Sequence, residues 1–581
     1  MNLEKYQQYS RIARGLEKAD LVLKDARIVN VFTEEIIRGD IAIQDGIIAG
    51  IGSFHGKEER DLAGRYVCPG FIDSHLHLES TLVTPAELVT AASRHGTTTF
   101  IVDPHESANV SGLAGIDYIL DQTEDVKANV YVMMPSCVPA TAIDDNGCTL
   151  TAEDMVPYLH NSRILGLGEV MDSISVVQGE KSMHDKLELF EGRIRDGHAP
   201  FLEEGDLQAY AMAGIATDHE CSFFDYAMRE RRNGLTILVR EGSAARNLEA
   251  LVGGLVQRHM NGDGFCFCTD DKHIEDIQRE GHIDHNVRKA IRLGMNPISA
   301  IKMATINAAK HFRLEDKIGS VAPGRFADIL LIDDLTTMKP KLVLKSGRIV
   351  ADENGARPVP EKAYPEKLFD TVHIGADFSA EKFIIHSEGK RAKCRVIDLI
   401  KDQIINKESF EWMDVKEGQI AADVDRDILK LAVVERYGKN GRVSTALVHG
   451  FGLKQGALAA SVSHDHHNIV VVGTNDRDIA VCVEKLQELH GGFVSAVEGQ
   501  VVDALALPLG GLMSTLPAKT VMKRMDEMNG AVEKMGCPMK APFMSLSFIS
   551  LPTVPELGLT DFGLIDVLGH QIIDMIVETE A

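Results

Sequence analysis

The chain has 581 residues, which is long enough for more than one domain and for an ample hydrophobic core. Its formal net charge of −25 opposes binding to a phosphate backbone, because non-specific affinity for nucleic acid comes from lysine and arginine. The charged amino terminus lacks the apolar core of a signal peptide, and no stretch approaches the roughly 18 apolar residues of a membrane span. We therefore expect that the protein binds neither nucleic acid nor a membrane, and that its partner is a small molecule.

The nine cysteines include no Cys-x-x-Cys pair. The nearest approach is Cys266 and Cys268, which we expect on one face of a buried strand. This pattern indicates reduced thiols, and the predicted location is the cytoplasm.

Short strands alternate with Gly and Asp-Gly turns over residues 19–52, and residues 318–350 repeat that style much later in the chain. We expect the two segments to meet in one small flanking β domain built from residues 1–65 and 318–350.

Eight short apolar segments lie between these two regions, and each ends in polar groups. They are YVCPGFIDSHLH (66–77), TTTFIVDPH (97–105), NVYVMMPSCV (129–138), ILGLGEVM (164–171), DGHAPF (196–201), GIATDHE (214–220), TILVREGS (236–243) and GFCFCTDD (264–271). Most are separated by enough chain for a helix. Strand-helix alternation repeated eight times predicts an α/β fold, a (β/α)8 TIM-type barrel over residues 66–317, with functional residues at the carboxyl ends of the strands.

One barrel helix shows its limits in the sequence. Thr84 is the predicted N-cap, Pro85 the first helical residue, Glu87 the partner in a capping box, and Gly96 the stop.

A change of composition follows the second β segment. Residues 351–367 hold three prolines among charges and are predicted to be a linker. Residues 368–581 then alternate predicted strands (FIIHS, IVVVGT, FVSAVEG) with predicted helices (ILKLAVVERYG, DIAVCVEKLQELHGG). We expect a carboxyl-terminal α/β or α+β domain.

The polar strand ends form a set of candidate metal ligands. A lone histidine at a strand end is more often hydrogen-bonded or solvated, but six groups at matched positions indicate a metal site. Imidazole with carboxylate and no thiolate suits Zn, Mn, Fe or Co, and a carboxylate midway along the barrel can bridge two ions. The predicted ligands are His75, His77, Glu169, His198, His219 and Asp270.

A second dense histidine cluster, SHDHHN, occupies residues 463–468. Histidines in a loop before a strand are usually solvated turn residues, and a metal or active-site role is the alternative.

These residues carry a resemblance to the amidohydrolase superfamily and, more narrowly, to the bacterial adenine deaminase family. The strings that resemble it are PGFIDSHLHLES, DPHESANV, GLGEVM, DGHAP, ATDHE, REGSAARNL, CTDDKH, EGHIDHNVRKAI and MATINAA. The match covers nearly the whole chain, including a carboxyl-terminal domain that most amidohydrolases lack. The resemblance implies hydrolytic deamination of adenine to hypoxanthine and ammonia. An extra domain of this size in a barrel enzyme favours a homo-oligomer, expected to be a dimer.

The resemblance also implies two divalent metal ions, with Mn²⁺ favoured, Fe²⁺ as the alternative and Zn²⁺ behind both. Metals make water a nucleophile at neutral pH, here for attack on C6 of the purine. We expect His75 and His77 to hold one ion, His198 and His219 the other, and Glu169 to bridge them. Asp270 is expected to bind a metal and to carry the proton from water to the departing amine.

The remaining candidates lie beside these ligands. Asp271 should face away from the site, because successive residues of a strand alternate. His105 and Glu106 are either turn and cap residues or catalytic groups that exchange protons with the purine or hold a further ion. Arg240, Glu241 and Ser243 are candidates for binding the ring nitrogens.

Two alternatives to adenine deamination stay open. One is another binuclear amidohydrolase that acts on a small cyclic amidine or amide, such as a cytosine-like or dihydroorotate-like ring. The other is a non-catalytic scaffold with the same fold, which predicts missing ligands, although all six are present.

Overall fold

A computed structural model describes residues 2–243, 245–400, 406–553, 556–567, 569 and 571–581. At its centre lies the predicted barrel of eight parallel strands. We number its strands 1 to 8 in chain order: Phe71–Leu76, Thr97–Val102, Asn129–Met134, Ile164–Val170, Ile194–Gly197, Thr217–Asp218, Thr236–Arg240 and Phe265–Cys268.

Two backbone junctions close the barrel. Strands 1–5 pair side by side in one sheet and strands 6–8 in another. Ala216 N donates to Arg195 O over 2.9 Å and joins strands 5 and 6. Asp270 N donates to His75 O over 3.0 Å, which joins the end of strand 8 to strand 1. The second junction therefore lies among the predicted metal ligands.

Helices cover the outer face of the barrel, so both faces of its strands are buried, as parallel sheets require. The helices are Pro85–Ser93, His105–Ser111, Leu113–Gln122, Ala152–Met155, Ser173–Gln178, Lys181–Leu189, Glu204–Met212, Phe224–Arg232, Leu248–Gln257, Ile274–Glu280, Ile283–Arg292, Pro297–Met303 and Ile306–His311, with 3-10 turns at Glu79–Thr81 and Val156–His160.

The helix Pro85–Ser93 begins where the sequence predicted, but its capping box is absent. The Thr84 side chain makes no capping hydrogen bond and instead donates to Glu361 over 2.7 Å. Glu87 accepts from the backbone N of Ala518 over 2.8 Å. The capping prediction was wrong because both side chains bind residues that are remote in sequence.

Segments from both sides of the barrel share one nine-stranded sheet. Its strands are Ala19–Asn30, Glu35–Gln44, Ile47–Gly52, Gly56–Asp61, Tyr66–Pro69, Ile329–Ile332, Pro340–Lys345, Arg348–Asp352 and Gly355–Ala356, and the helix Leu3–Ala13 packs against it.

The first predicted barrel strand is divided between two sheets. Tyr66–Pro69 pairs antiparallel with Ile329–Ile332, whereas Phe71–Leu76 pairs with barrel strand 2. The partners change at Gly70, where a side chain would collide with Thr98. The boundary predicted at residue 66 was therefore wrong, because a continuous apolar run hides a change of hydrogen-bonding partner.

The first part of the predicted linker 351–367 is also wrong. Residues Ala351 and Asp352 belong to a strand, and Gly355–Ala356 pairs back onto it through a tight turn. An exposed edge hairpin needs few apolar residues, so its composition resembles that of a linker.

The carboxyl-terminal region is built on a mostly antiparallel eleven-stranded sheet, which makes it α+β. Its strands are Ile385–His386, Arg391–Leu399, Asn406–Lys416, Gln419–Ile420, Ile428–Val434, Val443–His449, Ala457–Ala460, Ile469–Gly473, Gly492–Val497, Gln500–Ala506 and Ile576–Glu580. A three-stranded sheet adds Leu557–Thr560, Gly563–Asp566 and Gln571–Ile573. The helices are Asp476–Glu488, Ala518–Lys534 and Pro542–Phe548, with 3-10 turns at Glu366–Phe369 and Ala380–Phe383.

The segment ILKLAVVERYG, predicted as a helix, contains the strand Ile428–Val434. Every residue of this strand is buried between two neighbouring strands. A short apolar run does not distinguish a buried helix from a central strand, and the surrounding sheet decides between them.

The barrel and the carboxyl-terminal sheet share one hydrophobic core, which runs from Leu76 and Leu82 of the barrel to Phe493 and Phe543. Backbone contacts reinforce it: Ser514 N donates to Leu82 O over 2.9 Å. The carboxyl-terminal region is thus packed over the mouth of the barrel. Across the described part of the chain, every helix is too short or too polar to cross a membrane.

Candidate metal centre and active site

The six predicted ligands converge inside the mouth of the barrel, and all of them are buried. The Nε2 atoms of His75 and His77 lie 3.2 Å apart. Asp270 Oδ1 is 3.5 Å from the first and 3.3 Å from the second. Two imidazoles from strand 1 and a carboxylate that follows strand 8 therefore converge at one place in the barrel mouth.

Glu169 occupies the centre of the cluster. Its Oε1 lies 3.3 Å from His77 Nε2. Its Oε2 lies 2.9 Å from His198 Nδ1 and 3.3 Å from His219 Nε2. The two carboxylate oxygens thus face different histidines, which is the arrangement a bridging ligand needs.

These distances fit a pair of divalent cations. Ligand atoms about 2.0–2.2 Å from a common ion lie roughly 3–3.5 Å from one another, which is the range seen around Glu169 and Asp270. Two sets of three donors, His75 with His77 and Glu169, and His198 with His219 and Glu169, each gather their donor atoms within 4.8 Å. The donor set itself suits a first-row metal.

The electrostatics of the cluster favour positive charge. Burial alone would raise the pKa of Glu169, but contacts with His105, His198 and other imidazoles hold that pKa well below its usual range. Burial would likewise lower the pKa of His219, yet the bond to Glu169 and nearby carboxylates raise it to about 9. The charge of the cluster therefore suits bound cations.

A second layer of contacts orients the ligands. His77 Nδ1 donates to the carbonyl oxygen of Asp103 over 3.0 Å, which leaves Nε2 facing the cluster. The Asp103 carboxylate accepts from Glu169 N over 2.9 Å. Such outer partners fix ring orientation and tautomer in metal sites.

Asp218 links the strand ends that carry His198 and His219. Its carboxylate accepts from Ala199 N over 2.7 Å and from Cys221 N over 2.8 Å. Behind it lies Glu230, completely buried, with neither carboxyl oxygen hydrogen-bonded within the described residues.

Glu230→Gln is expected to flatten the pH dependence of stability. Burial and then the charge of Asp218 raise the pKa of Glu230 to about 11, so the folded protein keeps a proton that the unfolded chain releases above about pH 4.3. As pH rises from the pKa of Glu230 in the unfolded chain toward its pKa in the folded protein, the free energy of unfolding falls by up to about 1.4 kcal/mol per pH unit. Thermal unfolding at about pH 6 and pH 8 should show a smaller Tm decrease in the variant than in the wild type. Equal decreases would contradict this protonation.

Of the three predicted ring-binding residues, only Arg240 lines the pocket. It binds Glu220 with both terminal nitrogens and Asp270 Oδ2 over 2.9 Å. Glu241 accepts from Lys289 over 2.7 Å, and Ser243 donates to Asp276 over 2.6 Å, both away from the pocket. The prediction for Glu241 and Ser243 is therefore wrong in placement, because strand 7 ends at Arg240 and alternation stops there.

Asp271 does not face away from the site. Strand 8 ends at Cys268, and Asp270 has a left-handed backbone with φ of 57°, so strand alternation does not extend to Asp271. Asp271 lines the pocket and accepts a hydrogen bond from Ser80. The predicted orientation of Asp271 was wrong, while Asp270 lies among the other predicted ligands.

His105 and Glu106 are the first two residues of the helix His105–Ser111, and their side chains point in different directions. His105 Nδ1 lies 3.2 Å from Glu169 Oε1, and its ring packs edge-on against His77. Glu106 turns toward the carboxyl-terminal region, where it faces His464 and His467. His105 is thus part of the cluster around Glu169, and Glu106 links that cluster to a second one.

The loop of residues 463–468, hereafter the histidine loop, is buried rather than solvated. Asp465 Oδ1 lies 3.6 Å from His105 Nε2. The His464 ring stacks on Phe548 at 4.2 Å between centroids, and these two with Asp465 form the outer wall of the pocket. The density of histidine was the only local signal for this role.

Glu220 was missed by the sequence reasoning. Its Oε1 lies 3.8 Å from His198 Nδ1 and 3.6 Å from His219 Nε2, and its carboxylate is held by Arg240. Its position directly after His219 was the available signal.

Histidine and carboxylate side chains that could hold divalent metal converge at the ends of barrel strands 1, 4, 5, 6 and 8, and together with the barrel they define an amidohydrolase. Residues 66–350 match the Amidohydrolase family, and residues 403–571 match the family described as Adenine deaminase C-terminal domain. An adenine deaminase of Desulfitobacterium hafniense (strain Y51) is 46% identical over 574 residues, 99% of each chain. One of Desulforamulus reducens is 46% identical over 577 residues, 98% of each chain. The chain belongs to the adenine deaminase family.

Solved structures align with a little over half of the chain. A beta-aspartyl dipeptidase of Fervidobacterium islandicum AW-1 aligns over 59% of this chain and 100% of its own, with 17% identity and a TM-score of 0.46. A dihydroorotase aligns over 58% of this chain and 100% of its own, with 16% identity and a TM-score of 0.43.

Proposed function

We propose that this protein is an adenine deaminase that converts adenine and water to hypoxanthine and ammonia. The observation that carries the proposal is Glu169 between His77 on one side and His198 and His219 on the other, in a pocket whose outer wall comes from the carboxyl-terminal region. Near-full-length similarity to proteins named adenine deaminase supports the choice of substrate.

The residues around Glu169 fit two divalent ions. In this proposal His75 and His77 hold one, His198 and His219 hold the other, and Glu169 contacts both, with Asp270 as a further ligand. When bound, the ions would supply activation of water at neutral pH by lowering its pKa.

Asp270 is the proposed proton carrier. Its Oδ1 faces the histidines, and Arg240 binds its Oδ2 and fixes its orientation. Burial would raise the pKa of Asp270, but contacts with His75, His77 and Arg240 hold it well below its usual range, so the carboxylate is ionised and able to accept a proton. Asp270 would take a proton from water as the C6–O bond forms, and deliver it to the amine nitrogen as the C6–N bond breaks.

His105 and Asp465 are proposed to contact the ring. Both line the pocket and lie 3.6 Å apart, one from the barrel and one from the histidine loop. Asp465 is ionised, since contacts with His105 and His464 lower its pKa against the effect of burial. A carboxylate at this wall can accept an N–H of a purine, and His105 can exchange a proton with a ring nitrogen.

Chelation is expected to abolish deamination, and added Mn²⁺ or Fe²⁺ to restore it with two ions at the centre formed by the six ligands. The test is turnover of a panel of purines and pyrimidines by reconstituted protein, with metal content measured alongside. Adenine should be converted, while cytosine and dihydroorotate are not. Full activity in metal-free protein would overturn the mechanism, and turnover of a different ring would overturn the substrate.

Three finer features belong to the same proposal. We infer Mn²⁺ or Fe²⁺ as the working metal, a cytoplasmic location and a homodimer. The location is supported by the nine cysteines, all of which are free in the described structure. Symmetric dimers are the commonest assembly of soluble enzymes.

A further inference from the structure

A second group of ligand-type side chains lies where the histidine loop meets the barrel. Glu106 contributes from the barrel, and His464 and His467 from the loop. All three are buried, with exposed fractions of 0%, 5% and 0%. Their donor atoms lie within 4.8 Å of one another.

The distances within this group fit a shared ion better than hydrogen bonds. His464 Nδ1 lies 3.5 Å from Glu106 Oε1, and His467 Nε2 lies 3.6 Å from Glu106 Oε2. A strong N–H to oxygen bond spans about 2.7–3.2 Å, whereas ligands of a tetrahedral ion with bonds of about 2.1 Å lie roughly 3.4 Å apart. Glu106 Oε2 and His467 Nε2 accordingly have no hydrogen-bond partner within the described residues.

The carboxyl groups around this site also favour binding of a cation. Glu79 and Glu106 are buried and Asp271 is partly buried, and these three carboxyl groups surround Ser80, whose hydroxyl lies 2.9 Å from Glu106 and also contacts Asp271. In the described part of the chain, neither lysine nor arginine forms an ion pair with any of them. Uncompensated carboxylates at this depth are costly, and a divalent ion offsets that cost.

We propose that Glu106, His464 and His467 form a third divalent-cation site, separate from the two-ion centre around Glu169. Two imidazoles and one carboxylate are a ligand set that Zn²⁺ and Fe²⁺ use, with one position left for water. The ion would fasten the histidine loop to the barrel and so hold His464 and Asp465 in the pocket wall. The site does not depend on which ring the enzyme deaminates.

An alternative arrangement of hydrogen bonds around His467 would leave the site without an ion. The Asn109 amide donates to the carbonyl oxygens of Asp465 and His466 over 3.0 and 3.2 Å, and it also lies 3.3 Å from His467 Nδ1. If the amide donates to Nδ1, the His467 Nε2–H faces Glu106 as a long hydrogen bond, and coordination is excluded.

The experiment compares metal content in full-length protein loaded with Zn²⁺ alone and freed of excess metal. Wild type should hold three ions per chain, and His467→Ala two. His466→Ala is the matched loop control, because His466 bonds Ser463 and Ser550 rather than Glu106, and it should keep three. His198→Ala, which disturbs the other centre, should lose an ion there and keep the ion at Glu106.

Anomalous scattering at the zinc edge locates the ions even if a variant folds poorly. Crystals of the wild-type Zn²⁺-loaded protein should give a peak between Glu106, His464 and His467, apart from two peaks around Glu169. Two ions in the wild type, or the absence of a peak at Glu106, would overturn the third site. Neither outcome bears on adenine turnover, so the two proposals fail separately.

Discussion

Asp270→Asn is expected to lower kcat for adenine by at least about 10²-fold, because asparagine can neither accept the proton of water nor return it to the amine. The amide retains an oxygen where Oδ1 faces His75 and His77 at 3.5 and 3.3 Å, so at least one ion should stay bound. Steady-state kinetics and metal analysis of the same preparation measure both effects. Binding of a purine should persist, since the pocket wall is unchanged.

Asp271→Asn is the matched control, one residue along the chain. Asp271 contacts Ser80 rather than the ligand histidines, so its variant should keep both ions of the Glu169 centre and lose far less kcat. Should Asp271→Asn prove inactive while Asp270→Asn turns over normally, the two carboxylates must exchange roles.

The barrel and the convergence of the six candidate ligands could be predicted from the sequence because both produce local patterns. Parallel strands covered by helices are apolar throughout, so a polar group such as Glu169 directly after an apolar run marks a strand end. Parallel strands bring their carboxyl ends to one rim, which places such groups together without any knowledge of the contacts.

Features that depend on backbone geometry could not be predicted from the same patterns. Alternation along strand 8 predicted opposite directions for Asp270 and Asp271, but the left-handed backbone at Asp270 brings both to the pocket. Strand 7 ends at Arg240, so Glu241 binds Lys289 instead of facing the ring. The alternation of side-chain direction applies only to residues within a strand, and these residues lie beyond the strand ends.

The role of the histidine loop lies outside any local pattern. Asn109 binds the carbonyl oxygens of Asp465 and His466, residues more than 350 positions further along the chain. Only tertiary packing brings the carboxyl-terminal region over the barrel, and that packing turns a polar loop into a buried pocket wall. Density of histidine marked the loop as unusual, but its partner Glu106 was not evident from the sequence.

Glu169→Gln is expected to lose one of the two ions at its centre together with most deaminase activity. The substitution keeps size but removes the charge that offsets two dications. One amide nitrogen would also replace an oxygen facing either His77 at 3.3 Å or His198 at 2.9 Å. An amide nitrogen has no lone pair for a metal, so only one side of the bridge can persist. Metal content and kcat of the reconstituted variant are the measurements.

Glu230→Gln supplies the control for this substitution, because it makes the same change at a buried glutamate outside the centre. Glu230 is held protonated by its raised pKa, so replacing it removes no charge at neutral pH. That variant should keep both ions and wild-type turnover, which separates loss of the bridging charge from the general cost of altering a buried glutamate. Two ions and normal kcat in Glu169→Gln would show that Glu169 does not bridge, and would leave Asp270, which faces His75 and His77, as the carboxylate best placed to do so.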